Sequence, residues 1–449
     1  MYIDIYYAED DGQGGIVFDV LTCRKLKGPV FSPQTDLIGT SLPINEFSAD
    51  IVLDDPEDTP KIYVGEAAEL LDDLNNRWAS YLITYAETVQ TGVVHVIAKS
   101  RLSTLDGVKM PAVMYSGDSA TDVIVECIEA GGQYGASILD IDSSLSSATI
   151  TGFCPEQTAR ERLTWVLFAI NAYVRSFFSD KIEIATIDDT ETLIPADKTF
   201  WKPTVVYMDY VTAVKAKTYS FAQGTPATTD TYVEDADGVT YIVTEGAVSL
   251  TNSTAPDSVP ENVVEIDGVY LLNSSNVSAI LANLSTRYFK RVEVEGDIID
   301  NAEFIPGDKV TLLTEPGVMY SGFIENAAFS FGVQARAKIK MTACENVQCA
   351  GLIINCVYDG SNIGKYVYYF PVSYEYSVSM PFIDMMLNAH RYIFRPTTAT
   401  VTGTMTAQGA TVTVNYAVAL DLYESILHII SVDAVTVDSS GDYAIGEIA

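Results

Sequence analysis

The sequence has 449 residues, too many for a single hydrophobic core, so about two to four domains are expected. Its 60 acidic and 26 basic residues give a formal net charge of −34. A surface of this sign repels phosphate backbones and anionic lipid, which argues against sequence-specific nucleic-acid binding. The start of the sequence lacks a basic, then apolar, leader and no run is long enough to cross a bilayer, which predicts no membrane anchor and synthesis and folding in the cytosol.

Residues 1–105 are predicted to be mainly β. The alternation of apolar residues from Phe47 to Leu53 indicates one strand, and Tyr81 to Lys99 indicates two, broken at Thr91-Gly92. Between them, the leucines of Glu66 to Leu74 predict a short helix. The segment therefore looks like a strand meander with one small helix.

Residues 106–200 form a mixed α/β region that could be an insertion. Ser119 is the predicted cap of one helix, which Gly131-Gly132 ends. Thr158 to Glu161 has the pattern of a capping box and opens a second helix, whose apolar residues continue at helical spacing to Phe177. Short strands are predicted at the following ranges: Ser137–Ile141, Ala148–Gly152 and Lys181–Ala185.

Residues 201–260 are predicted to be a β-hairpin region and linker that could complete the first β domain. The predicted strand segments are Thr204–Tyr219, Asp230–Val233, Thr240–Val243 and Ala247–Leu250. The polar run Thr251–Glu261 contains two prolines and indicates a linker.

Residues 261–345 predict a helix packed on an antiparallel meander. The helix is predicted to be capped at Asn273 or Ser274 and to place Val277, Ile280, Leu281, Leu284 and Tyr288 on one face. Four strands follow, in Val292–Ile298, Lys309–Leu313, Val318–Ile324 and Ala335–Met341. Pro306, Gly307 and Asp308 are structural turn candidates, because proline donates no ladder hydrogen bond and glycine tolerates positive φ. Gly322, inside a strand, indicates a bulge or a close backbone contact.

Residues 350–449 are rich in tyrosine, threonine and valine and predict a separate β-rich, sandwich-like domain. Thr398–Thr406 and Ala410–Ala417 form an alternating hairpin pattern, and Pro381–Leu387 could be a helical turn. Its tyrosines could form an interaction surface or an aromatic core, and the core is favoured. They are Tyr366, Tyr368, Tyr369, Tyr374 and Tyr376.

No motif for a catalytic, cofactor or metal site is found. His95 and His428 lie in apolar runs typical of structural histidines, and Gly12 to Gly15 lacks the following helix of a phosphate loop. The spacing of Cys344, Cys349 and Cys356 is unlike that of zinc ligands. A glycosidase carboxylate pair stays open as an alternative, although solvated acidic turns explain these residues more simply. The candidates are Asp140 with Asp142 and Asp188 with Asp189.

The order of motifs after residue 200 resembles the baseplate hub proteins of bacteriophage tails and phage-tail-like bacteriocins. The resemblance covers most of residues 30–345, while 350–449 looks like an extra domain. Its motifs are turn and strand signatures: Trp201–Thr204, Tyr210–Lys215, Asn262–Gly268, Tyr288-Phe289, Pro306–Val310 and Ser321–Ile324.

The resemblance implies an α+β, mainly β fold with two tail-tube-like β-barrel or meander domains, 1–105 and 261–345, each with a packed helix. It implies a homotrimeric, pseudo-hexameric ring that joins the tail tube to the central spike and lets DNA pass. The implied partners are the tail tube protein and the central spike protein, with tape measure and baseplate wedge proteins as further possibilities. No cofactor and no catalytic residue are implied, and the protein would reside in the virion baseplate after assembly in the host bacterial cytoplasm.

Three other functions are open at this point: a non-contractile tail-tip hub, a receptor- or carbohydrate-binding tail protein that works through 350–449, and a cell-wall hydrolase. The missing catalytic motifs argue against the hydrolase.

Overall fold

The computed structural model describes residues 2–347 apart from gaps at 11–15, 38, 72–76, 132–138, 176–180, 195–197, 200–202, 300–303, 316–317 and 331–335. Beyond residue 348 it describes the backbone of strands but not their side chains. The chain divides into two compact units. The first unit is Met1–Thr190, Val206–Lys309 and Phe323–Ala343, and the second is Glu191–Val205, Val310–Gly322 and Cys344–Ala449.

The N-terminal strands of the first unit form one antiparallel sheet. The strands are β1 (Tyr2–Asp10), β2 (Ile16–Cys23), β3 (Leu26–Ser32), β4 (Glu46–Val52), β5 (Ala67–Leu71), β6 (Arg77–Gln90) and β7 (Val93–Ser100). They lie in the order β3-β4-β7-β6-β5-β1-β2. The strands predicted around Phe47 and on either side of Thr91-Gly92 are confirmed as β4, β6 and β7.

The helix predicted at Glu66–Leu74 is wrong, because this segment contains β5. Residues 67–71 pair with β1 on one side and with β6 on the other, and Ala68 and Leu70 are buried on the same side of the strand. Pairing with two neighbouring strands outweighs the helix preference of the leucines.

The mixed region contains β8 (Lys109–Met110), β9 (Val113–Ser119), α1 (Ala120–Ala130), β10 (Leu139–Ile141), β11 (Thr149–Cys154), β12 (Gln157–Thr158), α2 (Ala159–Ala169), β13 (Ala172–Arg175) and β14 (Ile182–Thr186). Both predicted helix starts are confirmed. Ser119 Oγ accepts a hydrogen bond from Asp122 N, and Thr158 and Glu161 form the capping box. The two helices share a core with Leu163, Val166 and Leu167 at its centre.

The predicted extension of the second helix to Phe177 is wrong, because α2 ends at Ala169. Asn171 then adopts φ 53°, a left-handed conformation that asparagine tolerates better than most residues. The chain reverses there, and Tyr173 and Val174 pair with Ala185 and Ile184 in β14. Phe177 lies outside the described residues.

The next strands are β15 (Glu191–Ile194), β16 (Thr204–Tyr207), β17 (Ala213–Gln223), β18 (Tyr232–Glu234), β19 (Thr240–Thr251) and β20 (Val263–Ile266). A four-stranded sheet has the order β18-β19-β17-β20. The predicted strand Thr204–Tyr219 is two strands, whereas the two strands predicted in 240–250 are one. β17 pairs with β19 without interruption from Ala213↔Thr251 to Gln223↔Tyr241, so Gly246 does not break the strand.

The predicted amphipathic helix is α3 (Val277–Tyr288), but its apolar face packs on this four-stranded sheet and not on the meander that follows it, as the sequence pattern had predicted. Ile280, Leu281 and Leu284 share a core cluster with Val214 and Ala216 of β17. The predicted cap at Asn273 or Ser274 is wrong, because the N-cap is Asn276. The Asn273 side chain instead accepts a hydrogen bond from Ser275 N, and its carbonyl accepts one from Val277 N.

The last strands of this region are β21 (Val292–Ile299), β22 (Lys309–Glu315), β23 (Val318–Ser330) and β24 (Arg336–Val347). They extend the N-terminal sheet, whose order continues as β16-β21-β24-β23-β3. Phe329 in β23 pairs with Phe31 in β3, and their rings stack with centroids 6.0 Å apart. The two predicted meanders of residues 1–105 and 261–345 therefore contribute to one sheet.

In the second unit, β15 pairs with β22. The C-terminal strands are β25 (Cys349–Tyr358), β26 (Ser361–Pro371), β27 (Glu375–Ser379), β28 (Met385–Leu387), β29 (His390–Thr404), β30 (Thr411–Leu422), β31 (Ile429–Val432), β32 (Val435–Val437) and β33 (Tyr443–Ile445). The helical turn predicted at Pro381–Leu387 is wrong where the structure describes it, because Met385–Leu387 pairs with β29. The side chains of the tyrosines between 366 and 376 lie outside the described residues.

The fold is thus α+β and mainly β, as predicted. None of the helices in the described part of the chain is long and apolar enough to cross a membrane.

Candidate functional site

The turn at Pro306, Gly307 and Asp308 donates a backbone hydrogen bond to β23 and accepts one from it. Gly307 has φ 101°, and its N–H donates to Ile324 O at 2.8 Å. Ile324 N donates back to Asp308 O at 2.9 Å, and the Asp308 carboxylate accepts from Ile305 N at 3.0 Å. The Asp308 carboxylate thus accepts a hydrogen bond from a backbone N–H of the same turn. Backbone hydrogen bonds to Ile324 in β23 hold the rest of the turn.

Gly307 lies directly against Tyr173 of β13. A Cβ atom built at Gly307 would lie 2.7 Å from the Tyr173 hydroxyl, so a side chain cannot fit without displacing the ring. The turn therefore needs glycine both for its conformation and for this contact.

Arg175, at the end of β13, connects the turn to the mixed α/β region. Its Nη2 donates to Asp308 Oδ1 at 2.7 Å, and its Nη1 lies 3.7 Å from Glu183 Oε1. Burial raises the pKa of the Asp308 and Glu183 carboxyl groups above their usual values, and the Arg175 guanidinium opposes both shifts. Two half-buried carboxylates thus share one cation.

Gly322 is a buried residue of β23, and its φ is not in the left-handed region. The turn and Gly322 belong to consecutive segments of the meander. Their architectural role is a prediction that returns under the proposed function.

A second ion-pair network fixes α3, and no local sequence pattern indicated its partners. Arg287 in the last helical turn pairs with Glu325, and its Nη1 lies 3.7 Å from Asp36 Oδ1. Lys340 Nζ lies 3.3 Å from Glu325 and 3.3 Å from Glu293. Glu325 and Asp36 lie 38 or more residues from Arg287 in the sequence. Local patterns therefore could not predict these ion pairs.

Between α3 and the sheet lies a cleft of about 340 Å³. Asn283 and Arg287 line its helix side, and Phe323 lines its sheet side. Asn171 and Ala343 also line it, and these are the described non-glycine residues with positive φ, at 53° and 52°. Its lining mixes amide, hydroxyl and apolar groups with the Asp189 carboxylate and the Arg287 guanidinium, and it contains no nucleophile–base pair or metal-ligand cluster within the described residues.

Three of the four carboxylates considered for a glycosidase pair, Asp142, Asp188 and Asp189, have structural partners. Asp142 caps the short 3-10 turn Ser143–Ser147 and accepts from Thr186 Oγ1 at 2.8 Å. Asp188 accepts from Thr190 N, and Asp189 pairs with Lys309 at 3.4 Å. Hydrogen bonds lower the pKa of Asp142 and Asp188, so neither is held protonated as a general acid would be.

His95 contacts a neighbouring strand, and the described cysteines Cys23 and Cys154 are buried. His95 Nδ1 lies 2.7 Å from Asp50 Oδ1 on the neighbouring strand β4. Burial raises the pKa of Cys23 and Cys154 to about 12, so their thiols are poor nucleophiles. His428 and the glycine run 12–15 lie outside the described residues.

No protein-family model and no curated protein matches the sequence. Among solved structures, the tail protein from Neisseria meningitidis MC58 is similar with a TM-score of 0.50 and 10% sequence identity, over 76% of this chain and 96% of that protein. The 43 kDa tail protein of prophage MuSo2 from Shewanella oneidensis is similar with a TM-score of 0.48 and 10% sequence identity, over 76% of this chain and 98% of that protein. A component of the E. coli type VI secretion system, itself structurally similar to the phage T4 tail proteins gp27 and gp5, has a TM-score of 0.41 and 8% sequence identity, over 95% of this chain and 97% of that protein. The chain therefore shares its fold with the Neisseria tail protein.

Proposed function

We propose that this chain is the structural baseplate hub of a phage contractile tail or of a tail-like particle. The observation that carries the proposal is the fold shared with the Neisseria tail protein, which extends over 96% of that protein. The turn and strand motifs after residue 200 support the same assignment. An enzymatic role has no support from the residues of the cleft or of the turn, so the proposed role is non-catalytic.

In this proposal the hub is a homotrimer. Residues 1–105 and 261–345 are its two tube-like domains, so three chains supply six similar units to a pseudo-hexameric ring. The helix α3 and the turn at Pro306, Gly307 and Asp308 would shape the second of these domains, and the Arg175 contact would hold it on the insertion region 106–200. Strands from both meanders belong to one sheet, which supports a continuous wall formed by the two tube-like domains of each chain.

The ring would join the tail tube protein on one face to the central spike protein on the other. Tape measure and baseplate wedge proteins are further partners, and residues 350–449 would be an accessory domain. The net charge of −34 supports a channel through which DNA slides without sticking, because like charges repel. The protein would act in the virion after assembly in the bacterial cytoplasm.

Negative-stain electron microscopy of the purified chain tests the proposal, with mass photometry of the same sample at micromolar concentration. We expect particles of three chains with a central opening and threefold symmetry. A sample that contains only monomers would contradict the ring. A glycan array probed with the full chain tests the alternative receptor-binding role, and strong binding by a monomer would favour that alternative.

A further inference from the structure

The cleft between α3 and the sheet is a cavity to which the proposed structural role assigns no task. Its volume of about 340 Å³ lies near the lower end of the range of roughly 300–1,000 Å³ that small-molecule sites occupy. Its walls come from distant segments: the turn after α2 at Asn171, the helix α3 at Asn283 and the strand β24 at Ala343. Every described lining residue belongs to the first unit. One folded unit thus holds a cavity that fits a small molecule.

The charged groups of the cleft already have partners of opposite sign. Arg287 pairs with Glu325, and its Nη1 lies 3.7 Å from Asp36 Oδ1. Asp189 pairs with Lys309 at 3.4 Å. A charged ligand would displace one of these partners or add an unpaired charge to a half-buried site, and both are costly. The charges therefore favour an uncharged ligand.

Two hydrogen-bonded amides in the cleft keep one free donor and one free acceptor. Asn283 Nδ2 donates to Asn171 Oδ1 at 3.4 Å. No other hydrogen bond within the described part of the chain engages either side-chain amide, so Asn171 Nδ2 can donate and Asn283 Oδ1 can accept. Reversing both amides exchanges these roles and leaves the same pair. A donor and an acceptor on adjoining amides complement a secondary amide, which offers one C=O and one N–H.

A hydroxyl of the lining is buried without a partner. Thr342 is 4% exposed, and its Oγ1 has no hydrogen-bond partner among the described residues. Buried polar groups are usually paired with protein or with a bound molecule. Asn171 and Ala343 also line the cleft with left-handed backbone conformations, and strained residues of this kind cluster at ligand sites. The site thus offers a third hydrogen-bonding group to a ligand.

The remaining lining accepts a short apolar group. Leu37, Phe323 and Ala343 line the cleft and belong to one buried apolar cluster. Because aliphatic and aromatic carbon surrounds this part of the cavity, a methyl group placed there would be removed from water.

We propose that the cleft binds an uncharged ligand that carries an acetamido group. The amide of the ligand pairs with Asn171 and Asn283, its methyl group contacts the apolar cluster, and a hydroxyl of the ligand pairs with Thr342. Two sources supply this chemistry, an N-acetylated amino sugar and an N-acetylated peptide-like compound. The inference does not depend on the trimeric ring, because every residue it uses comes from one chain.

Ligand-observed NMR titration of the full-length chain tests the ligand class. We expect N-acetylglucosamine to bind with a dissociation constant of about 1 mM and glucose, the same ring without the amide, to bind at least tenfold more weakly. N-acetylalanine methylamide separates the two sources: binding as tight as that of the amino sugar supports the acetamido assignment with a peptide-like source, and weaker binding supports it with a sugar source. Equal binding of glucose and N-acetylglucosamine would overturn the proposal, as would no binding of either amide compound at about 10 mM.

Two pairs of variants on α3 test whether the cleft is the binding site. Ala279→Phe places a ring in the cleft, and its matched control is Ala282→Phe at another exposed residue of α3 that does not line it. Asn283→Ala removes an amide, and Ser278→Ala is its control on an exposed position of the same helix. We expect Ala279→Phe to abolish binding, Asn283→Ala to weaken it at least tenfold, and both controls to stay within twofold of the parent.

Circular dichroism melting shows that the four variants fold. Binding that survives in Ala279→Phe would place the ligand elsewhere and overturn the assignment. Mass photometry of the same samples reports the ring separately, so a monomer that binds the amide ligand would refute the ring and support the cleft, whereas a trimer that binds none would do the reverse.

Discussion

Gly307 and Tyr173 are in contact although 134 positions separate them, and the tyrosine hydroxyl occupies the space that a Cβ at Gly307 would need. The turn of the meander is therefore shaped by a ring from the mixed α/β region. Because Gly307 also has φ 101°, two independent costs oppose any substitution there.

Gly307→Ala is expected to lower the free energy of unfolding by about 2–4 kcal/mol, from a left-handed conformation and from overpacking on Tyr173. Gly268→Ala is the matched control. Gly268 has φ 77° but nothing within 4 Å of its Cβ position, so only the conformational cost of about 1–2 kcal/mol applies. Urea denaturation of both variants measures the difference, and equal losses would show that the Tyr173 contact costs nothing.

Asp267 is expected to make stability depend on pH in the acid range. Lys217 Nζ lies 2.7 Å from its carboxylate and the Tyr219 hydroxyl donates to it at 2.6 Å, and these hydrogen bonds lower the pKa of Asp267 from 3.8 to about 2. A folded pKa below the unfolded value gives stability above pH 3.8 that is lost as the pH falls toward 2.

Asp267→Asn should therefore be less stable than the parent at neutral pH, and the difference should shrink between about pH 4 and pH 2. Urea denaturation at a series of pH values measures it. Asp257→Asn, at an exposed loop residue, controls for the loss of one negative charge. A stability difference that stays constant down to pH 2 would disprove the linkage.

Arg162 is a fully buried cation whose replacement by an apolar residue should be tolerated. Its Nη2 donates to Pro111 O, but Nε and Nη1 have no hydrogen-bond partner within the described residues, and Glu126 lies 4.0 Å away. Arg162→Met is expected to leave the free energy of unfolding unchanged or to raise it by about 1–4 kcal/mol, because burying a poorly paired charge is costly. Arg162→Ala should lower it by about 2–5 kcal/mol through the cavity it leaves. Thermal unfolding that shows equal destabilisation by both would mean that the charge itself is needed.

Ala343 is held at φ 52° in β24, where glycine is the better residue. Ala343→Gly should raise the free energy of unfolding by about 1 kcal/mol by removing the left-handed strain. Ala337→Gly, at a buried position of the same strand without positive φ, should lower it by about 0.5–1 kcal/mol or more. Chemical denaturation should thus give opposite signs, and a loss in both variants would show that Ala343 is unstrained.

Local patterns predicted the elements whose signals lie within a few residues. The capping box at Thr158, the cap at Ser119 and the apolar face of α3 were all correct, because capping bonds and helix faces depend on neighbours in sequence. The errors fell where a distant strand decides the outcome: β5 is a strand because β1 and β6 flank it. Likewise α2 stops early because β14 recruits Tyr173 and Val174.

The candidate site was predictable only in part. The Pro306–Gly307 sequence indicated a turn, because proline restricts φ and glycine tolerates positive φ. Tyr173 and Arg175, which fix that turn, lie in the segment that the sequence pattern predicts as helix, so their contacts with the turn were not predicted. No pattern marked Arg287 as the ion-pair partner of Asp36 and Glu325, because ion pairs between distant segments leave no periodic trace.

By itself the sequence determined a mainly β chain with amphipathic helices, strongly acidic, without a recognisable catalytic motif. These properties follow from composition and from spacings of two and of three to four residues, which are local. Only the tertiary structure decided that both meanders enter one sheet and that Tyr173 and Arg175 hold the turn at Gly307. Strand order and burial depend on contacts between segments far apart in the chain, and those contacts exist only once the chain has folded.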